Sequence, residues 1–383
     1  MLLGKYEQTQ PASLLYDFLK DYTGNSTAEL GVQYGNFTLN NATKAVVSPN
    51  TEHLLEPFDP VIIQETIMWF ELAFFNASQG VIKITTPYIL VSLAIATVGC
   101  LISLFIVMVY LGNYLWKRKP RDHSEISFVK GQSVIKPVIY YLFLVPLLGF
   151  ILIIPLSGVF SSIVPIDMFG AVFSSLVFGK AIFILLVFYL FLSRNEEGRR
   201  SLRTLSDGFK EMTSTNPGRS LLYGVLVAII SITSLAAIMH WSFNTSLPTT
   251  REIGAIMTIT LIFFPFLLVK EFYFRTVQER LRASKQINSR LKEYFSIVGI
   301  GFVMDLSVPI VLMILTWQTS FGYIAFVLFP TSIFALCRHI FIPWVYMHSG
   351  RNIMGSAIFY SILWAWMIIG FYPFGVGASI SIF

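Results

Sequence analysis

The basic residues of this chain are confined to alternate loops between long apolar runs. From about Thr85 onward, four loops hold nearly all the Lys and Arg outside those runs: six in 117–136, six in 194–219, seven in 270–292 and one in 347–354. The loops between them hold one basic residue, Arg251. Multi-pass membrane proteins concentrate Lys and Arg in their cytoplasmic loops. The pattern therefore predicts a membrane domain and its orientation.

The composition agrees with a membrane protein and argues against a nucleic-acid-binding one. Hydrophobic residues make up 55% of the 383 residues and charged residues 13%, whereas a soluble domain carries about a quarter charged residues. The net charge of +6 could suggest nucleic acid. Because the basic residues flank apolar runs, however, we expect them to meet anionic lipid headgroups. Cys100 and Cys337 lie inside apolar runs, so no disulfide framework is indicated.

Eight apolar segments reach the roughly 20 residues that a membrane-spanning helix needs. They lie at Tyr88–Leu115, Val138–Phe160, Phe169–Leu192, Leu221–Trp241, Ile253–Phe274, Phe295–Trp317, Phe321–Tyr346 and Met354–Phe374. An even number of spans places both ends of the chain on one side, and cytoplasmic basic loops make that side the outside. The expected fold is mainly α, with an eight-helix transmembrane bundle in 85–383 after a short extracytoplasmic α/β segment in 1–84.

The possible N-glycosylation sites follow the same topology. Acceptor sequences of the form Asn-x-Ser/Thr occur at Asn25, Asn36, Asn41, Asn76 and Asn244. All of them fall on the predicted outer side, and none falls in a basic loop. The sequence therefore predicts a glycoprotein in the cell membrane.

Two basic inner segments, Arg194–Met212 and Arg275–Tyr294, are rich in Arg, Lys, Glu, Leu and Gln, and we expect both to be structured. Arg275–Tyr294 reads RTVQERLRASKQINSRLKEY and contains neither Pro nor Gly. We expect it to continue the fifth span as a cytosolic helix with solvated, snorkelling side chains. A docking site for a cytosolic partner is the alternative.

The tail before the first span is acidic and carries signals of local structure. Residues 1–83 hold four Lys and nine Asp or Glu, a formal charge of −5. Short strands are expected at Met1–Leu3 and Ala45–Val47, with an amphipathic helix at Leu14–Tyr22 that Gly24 ends. Another helix is expected to start at Pro60, because Asp59 can cap its free amides and proline suits the first helical position.

Two stretches of this tail have the order of elements found at the end of one enzyme fold. The first, L-L-G-K-Y-E-Q-T-Q-P, is a strand and a turn with Glu7, and the second, K-A-V-V-S-P-N-T-E-H-L-L-E-P, is a strand and a loop with His53. About the first 80 residues thus resemble the C-terminal end of an α/β-hydrolase domain. The resemblance implies that Glu7, where Asp is commoner, orients the catalytic base His53. An acid that precedes His matches the order of this triad.

The nucleophile of such a triad is absent from the sequence. No G-x-S-x-G motif occurs, and without a positioned Ser and oxyanion donors Glu7 and His53 have nothing to activate. Met1 is also followed by neither a basic nor an apolar leader region. We therefore expect the chain to be the back portion of a longer exported hydrolase. A shorter natural protein with its own glycosylated tail is the alternative.

Several ionisable residues fall inside the predicted spans, where charge is energetically costly. Lys180 lies midway along the third span and Asp305 midway along the sixth, while Arg338 and His339 lie in the seventh. An ion pair of Asp305 with Lys180 or Arg338 would remove most of the cost. The sequence leaves open a pair that holds the helices together, a proton or ion path through Asp305 and His339, and an intramembrane enzyme site. Lys270 is expected near the inner end of the fifth span.

The first functional hypothesis is a membrane-anchored extracytoplasmic serine hydrolase of the esterase or peptidase class. This chain would supply His53, Glu7 and the membrane domain, and a missing N-terminal part or a partner chain would supply the nucleophile. Acyl transfer to water would need no cofactor and no metal, and the partners would be the lipid bilayer and the missing part, not nucleic acid. The alternatives are a transporter or channel-like protein with a glycosylated cap, and an inactive membrane anchor.

Overall fold

The computed structural model describes residues 2–5, 12–51, 56, 58–75, 84–116, 133–163, 168–189, 202–243, 248, 250–283, 289–316 and 331–370. The chain forms two compact units, Met1–Ala96 and Thr97–Phe383. The boundary falls inside a helix that begins at Thr86. The described residues are mainly helical and the sheets are small, which confirms the predicted mainly α class.

The first unit contains two small sheets. Its strands are β1 (Leu2–Gly4), β2 (Gln33–Tyr34), β3 (Thr43–Lys44) and β4 (Val46–Ser48). Strands β2 and β3 are antiparallel, whereas β1 and β4 are parallel, with Gly4 opposite Ser48. The two predicted strands of the tail therefore pair side by side and end at the same edge.

Two helices accompany these strands, as the sequence predicts. Helix α1 (Ala12–Thr23) is followed by Gly24 at φ +63°, a left-handed conformation that glycine adopts readily. Leu15 and Leu19 of α1 join a core with residues of β1 and of the segment that leads into β4. Helix α2 (Pro60–Phe75) begins where expected, because the Asp59 carboxylate accepts hydrogen bonds from the amides of its first turn at 2.9 and 3.0 Å.

The described part of residues 84–370 is almost entirely helical. Its helices are α3 (Thr86–Trp116), α4 (Ile135–Ile163), α5 (Met168–Val187), α6 (Leu202–Thr213), α7 (Pro217–Phe243), α8 (Thr250–Ala283), α9 (Arg290–Thr316), α10 (Thr331–His348) and α11 (Ile353–Gly370). Four stretches are long and apolar enough to cross a membrane: Val91–Trp116, Pro217–Ile238, Glu252–Ala283 and Arg290–Leu315. These helices identify a multi-pass membrane protein.

Each of the eight predicted spans overlaps one of these helices, although the ends of several cannot be compared. Residues 190–192 of the third span, 317 of the sixth, 321–330 of the seventh and 371–374 of the eighth lie outside the described residues. Helix α6 adds a short amphipathic element within the basic segment 194–219, with Arg203 and Asp207 on its exposed side. The helices pack in the pairs α4 with α5 and α9, α8 with α5, α9 and α11, α10 with α9 and α11, and α7 with α11.

The fifth span continues as a helix into the first part of Arg275–Tyr294, but polar residues there that the sequence predicts in solvent are buried. A separate helix begins at Arg290. Helix α8 runs on to Ala283, and Arg275, Gln278, Glu279 and Arg280 in this extension are all buried. Buried charges require partners. Some partners of the extension lie four residues away in the same helix, and others lie on neighbouring elements. Arg275 Nε lies 3.1 Å from a carboxylate oxygen of Glu271, one turn earlier.

A single arginine joins the extension of α8 to the start of α9. Arg351, in the turn between α10 and α11, places one guanidinium nitrogen 2.5 Å from Glu279 and the other 2.8 Å from Glu293. Gln278 donates a further hydrogen bond of 2.7 Å to Glu293. Burial alone lowers the pKa of Arg351, but the two carboxylates outweigh burial, and its pKa is raised. Arg351 therefore stays charged, and the segments are held by ion pairs instead of being solvated.

Helices α7 and α11 approach each other closely through small residues. Gly224 of α7 faces the backbone carbonyl of Gly355 of α11, and Gly355 in turn lies against the carbonyl of Ser220. The Ser220 hydroxyl donates a 2.7 Å hydrogen bond to the carbonyl of Ser349. Small residues allow the close backbone contact that stabilises helix pairs within membranes.

The contact predicts that Gly224→Ala destabilises the membrane unit. An added methyl group would overlap the Gly355 carbonyl, which is backbone and can move only with its helix. We expect a loss of about 1–3 kcal/mol, measured as a lower thermal unfolding midpoint in detergent. Gly218→Ala, in the same helix but with open space around its Cβ position, is the control. Equal midpoints for the two variants would contradict the close contact.

Candidate functional site

The ionisable residues of the predicted spans converge on the carboxylate of Asp305 in α9, which is 4% exposed. Residues from five other helices surround it. We call the whole group the Asp305 centre; its members are Asp305, Tyr141 of α4, Lys180 of α5, Lys270 of α8, Arg338 and His339 of α10, and Tyr360 of α11. Six helices therefore contribute a polar side chain to one point.

Three groups approach the Oδ1 atom of Asp305. Tyr141 donates its hydroxyl to Oδ1 at 2.8 Å, and the Lys270 ammonium lies 3.1 Å from both Oδ1 and Oδ2. The Lys180 ammonium lies farther away, 3.7 Å from Oδ1, which is an ion-pair distance but too long for a hydrogen bond. Lys180 is therefore the most loosely held cation of the Asp305 centre.

The Oδ2 atom meets two consecutive residues of α10. Arg338 forms an ion pair through its Nη2 atom, and His339 Nε2 lies 2.7 Å from the same oxygen. His339 Nε2 is also 3.2 Å from Arg338 Nη2. A neutral imidazole with a proton on Nε2 would donate to Asp305, whereas the other tautomer would accept from Arg338. The tautomer of His339 thus decides whether Nε2 donates a hydrogen bond to Asp305 or accepts one from Arg338.

Aromatic rings enclose the cationic groups. Arg338 donates a hydrogen bond to the Tyr360 hydroxyl, and its guanidinium lies 4.9 Å from the centroid of the same ring. The Lys270 ammonium is 5.7 Å from the Tyr360 centroid and 5.5 Å from that of Phe274. Ring faces attract cations within about 6 Å, so these aromatic residues stabilise the buried charges in addition to Asp305.

The charges of the centre do not balance. Its three cations, Lys180, Lys270 and Arg338, face the single negative charge of Asp305. The adjacent carboxylate, Glu271, is paired with Arg275. With neutral His339, three positive charges minus one leave a formal surplus of two among the described residues. A charge in the middle of a membrane helix costs about 3 kcal/mol on insertion scales, so this surplus is a substantial energetic load.

Glycine at position 301 makes the contact between α9 and α10 possible. A Cβ at Gly301, one turn before Asp305, would overlap Nδ1 of His339. No side chain could stand there without moving the imidazole. Gly301 therefore fixes the position of His339 against Asp305.

We expect Gly301→Ala to displace His339 from Asp305 and to lower the unfolding midpoint in detergent. Gly299→Ala, in the same helix, is the control that separates packing from helix propensity, because its added Cβ meets open space. Alanine is favoured over glycine in a helix by about 0.5–1 kcal/mol, so Gly299→Ala should hold or raise the midpoint. A midpoint for Gly301→Ala at or above the wild-type value would contradict this geometry.

The structure brings together the intramembrane residues that the sequence predicts and adds three others. Lys180, Asp305, Arg338 and His339 lie in one cluster, with both of the anticipated ion pairs of Asp305 present. The sequence analysis places Lys270 near a span end, whereas its ammonium reaches Asp305. Tyr141 and Tyr360 are missed. Their signal is weak, because a tyrosine in an apolar run resembles any other aromatic residue.

The proposed triad residues Glu7 and His53 lie outside the described residues. The described backbone next to these residues forms hydrogen bonds at the ends of β1 and β4. The amide of Lys5 donates a 2.8 Å hydrogen bond to the carbonyl of Ser48, and the amide of Gly4 donates one of 2.6 Å to the Glu56 carboxylate. Glu56 therefore ties the end of β1 to the segment before α2, a role that the sequence analysis misses.

The described glycosylation candidates lie at the surface of the first unit. Asn36 and Asn41 are exposed and Asn25 is partly exposed, while Asn76 and Asn244 lie outside the described residues. Asn25 accepts hydrogen bonds from the amide and the hydroxyl of Thr27 at 3.0 and 2.8 Å. This contact joins the asparagine to the threonine of its own acceptor sequence.

Within the described residues, no group of three or more His, Cys, Asp or Glu side chains is arranged to hold a metal ion. The Asp305 centre is rich in donors instead. No protein-family model, curated protein or solved structure matches this chain. Its function is therefore argued from the geometry of the centre and from the pairing of β1 with β4.

Proposed function

We propose that the membrane domain transports a charged solute and that the Asp305 centre is its solute site. The observation that carries the proposal is the convergence of three cations, two of them buried, on one buried carboxylate. A pair that only holds helices together needs one cation for each carboxylate. Intramembrane ionisable residues mark pathways for ions, protons or substrates, and this centre has more of them than a structural pair requires.

Prolines beside the centre support the same proposal. Pro309 and Pro343 lie inside α9 and α10, four residues after Asp305 and His339 respectively. A proline has no amide hydrogen for the carbonyl four residues earlier. The carbonyls of Asp305 and His339 thus lack their usual helical partners at the centre itself. Both helices continue through their prolines, so the freed carbonyls lie within continuous helices beside the polar centre.

The proposal includes the topology that the sequence predicts. The chain would cross the membrane eight times, with both ends and the first unit outside and the basic loops in the cytoplasm of the cell. The alternation of Lys and Arg between loops supports this arrangement, and so does the position of every possible glycosylation site on the predicted outer side. The solute would then pass between the outer surface and the cytoplasm.

Transport predicts an electrical signal that Asp305→Asn abolishes. Purified full-length protein in liposomes on a solid-supported membrane would be exposed to rapid jumps in sodium phosphate, sodium sulfate, sodium chloride, potassium chloride and pH. We expect a transient current for at least one jump. Asp305→Asn leaves the cations without their counter-charge and should remove that current. Absence of current in the wild-type protein for every jump would contradict the transport proposal.

Asp207→Asn is the matched control, because Asp207 is an exposed residue of α6 with 70% of its side chain accessible. It should retain the wild-type current. Each variant is compared after gel filtration shows a single folded species. Where Asp305→Asn does not fold, Lys180→Met replaces it, since Lys180 makes no hydrogen bond to Asp305. A wild-type current in the variant that folds would also contradict the proposal.

A second candidate function is favoured by one specific observation. Strands β1 and β4 pair in parallel, and the stretches with Glu7 and His53 follow their adjoining ends. A two-stranded sheet has marginal stability by itself, and parallel sheets normally occur as parts of larger, covered sheets. We propose on this basis that the first unit contributes an acid and a histidine to an extracytoplasmic serine hydrolase, whose nucleophile does not come from this sequence.

The hydrolase candidate predicts that His53→Ala abolishes ester hydrolysis by the full-length gene product and leaves its membrane currents unchanged. The imidazole is the group that would take the proton from the nucleophile, so its removal should lower the rate by about 10⁴-fold or more. Hydrolysis of p-nitrophenyl acetate measures the rate. His123→Ala, in the basic loop 117–136, is the control. Hydrolysis that persists in His53→Ala, or is absent from the wild-type protein, would contradict this candidate.

A further inference from the structure

The carboxylate of Asp305 has no capacity left for further donors. Its two oxygens offer about four lone-pair sites. They already receive Tyr141, Lys270 on both oxygens and Arg338, and Oδ2 also lies 2.7 Å from His339 Nε2. Lys180 is left at 3.7 Å. The centre therefore contains more donors than its only carboxylate can satisfy.

The surplus donors belong to three side chains that surround the same point. Arg338 Nε is buried without a hydrogen-bond partner. The Tyr360 hydroxyl accepts from Arg338 and lies 3.5 Å from the Lys270 ammonium, and none of the described residues accepts its own proton. The Lys180 ammonium makes no hydrogen bond to the carboxylate that it faces. What these groups lack is an acceptor with negative charge.

The three cations of the centre differ in their exposure. The side chain of Lys180 is 15% exposed, against 9% for Arg338 and 6% for Lys270. The cation with the weakest hold on Asp305 is thus also the most accessible one. A ligand that reaches the centre beside Lys180 would meet the cation that is least engaged with Asp305.

We propose that the Asp305 centre binds a phosphate-type dianion, either free or as the phosphomonoester headgroup of a lipid. Two negative charges would neutralise the formal surplus of two positive charges. A tetrahedral oxyanion offers several acceptor oxygens, which suits the three side chains with surplus donors, Lys180, Arg338 and Tyr360, from three helices. A halide offers one point charge and cannot satisfy donors spread over three side chains. The inference rests on the proposed function, because it takes the Asp305 centre as the solute site.

The test measures binding of anions to purified full-length protein in dodecyl maltoside, without transport. At constant ionic strength, the thermal unfolding midpoint is followed against sodium phosphate, sodium sulfate and sodium chloride. A second series compares dioleoyl phosphatidic acid with dioleoyl phosphatidylcholine at equal lipid content. We expect the midpoint to rise with phosphate and sulfate but not with chloride if the ligand is a free anion. A rise with phosphatidic acid alone identifies a lipid headgroup.

Variants link the binding to the Asp305 centre. Lys180→Met removes the least engaged cation and leaves every hydrogen bond of Asp305 in place, so the variant should fold. A lost charge-assisted hydrogen bond should weaken the affinity for the effective anion by about 10-fold to 100-fold. Lys210→Met, at an exposed position of α6, is the control and should bind as the wild-type protein does.

Two results would overturn the inference: no response of the wild-type protein to any dianion or to phosphatidic acid, or a response that Lys180→Met retains in full. A wild-type protein that gives no response is also the result expected if a lysine of the Asp305 centre is neutral, because the surplus positive charge is then smaller. Binding without current would support the anion site and contradict transport. Current without dianion or phosphatidic acid binding would support transport and contradict the anion site.

Discussion

The packing of the membrane domain depends on the interaction between the Asp305 carboxylate and the cations around it. Helices α4, α5, α8, α9, α10 and α11 each place a polar group at this point, and all six also contribute residues to large apolar clusters. Apolar packing between membrane helices is weakly directional, because lipid tails are as apolar as the side chains. A buried charge network is directional, since each ion must find a partner. The Asp305 centre therefore fixes which helix faces point inward, and the same property makes it the candidate site.

A second network shares helix α8 with the first. Lys270 turns towards Asp305, whereas the next residue, Glu271, pairs with Arg275. Arg275 donates to Gln278, Gln278 donates to Glu293, and Glu293 and Glu279 both pair with Arg351. Tyr346 joins this network through a 2.9 Å hydrogen bond to Glu279. Two neighbouring residues of α8 thus belong to different clusters. Lys270 belongs to the Asp305 centre, which has surplus positive charge, and Glu271 belongs to a network of acids and bases. In the second network, Glu271, Glu279 and Glu293 are matched by Arg275, Arg282 and Arg351. This balanced network has the features of a structural one, whereas the unbalanced Asp305 centre has those of a binding site.

Much of this architecture follows from the sequence, because apolar length, basic loops, the Asp59 cap and Gly24 act locally. The meeting of Lys180, Arg338 and His339 with Asp305 could be anticipated, because charges inside spans must pair. The role of Lys270 could not be anticipated. The direction in which a residue near the end of a span points depends on packing against residues that are distant in sequence, here Asp305, 35 positions later. The burial of Arg275–Arg280 escaped prediction for a similar reason. A charged helix is expected in solvent unless distant residues, here Glu293 and Arg351, provide its partners.

The central claim is that Asp305 and its cations form one energetically coupled unit. A double-mutant cycle with Asp305→Asn, Lys270→Met and the double variant, followed by denaturant unfolding in detergent micelles, tests it most directly. Removing Asp305 alone leaves buried cations unpaired, and removing Lys270 as well relieves part of that cost. We predict that the double variant is more stable than the sum of the single effects implies, by about 1–3 kcal/mol. Effects that add to within about 0.5 kcal/mol would show that the two residues are independent and would contradict the account.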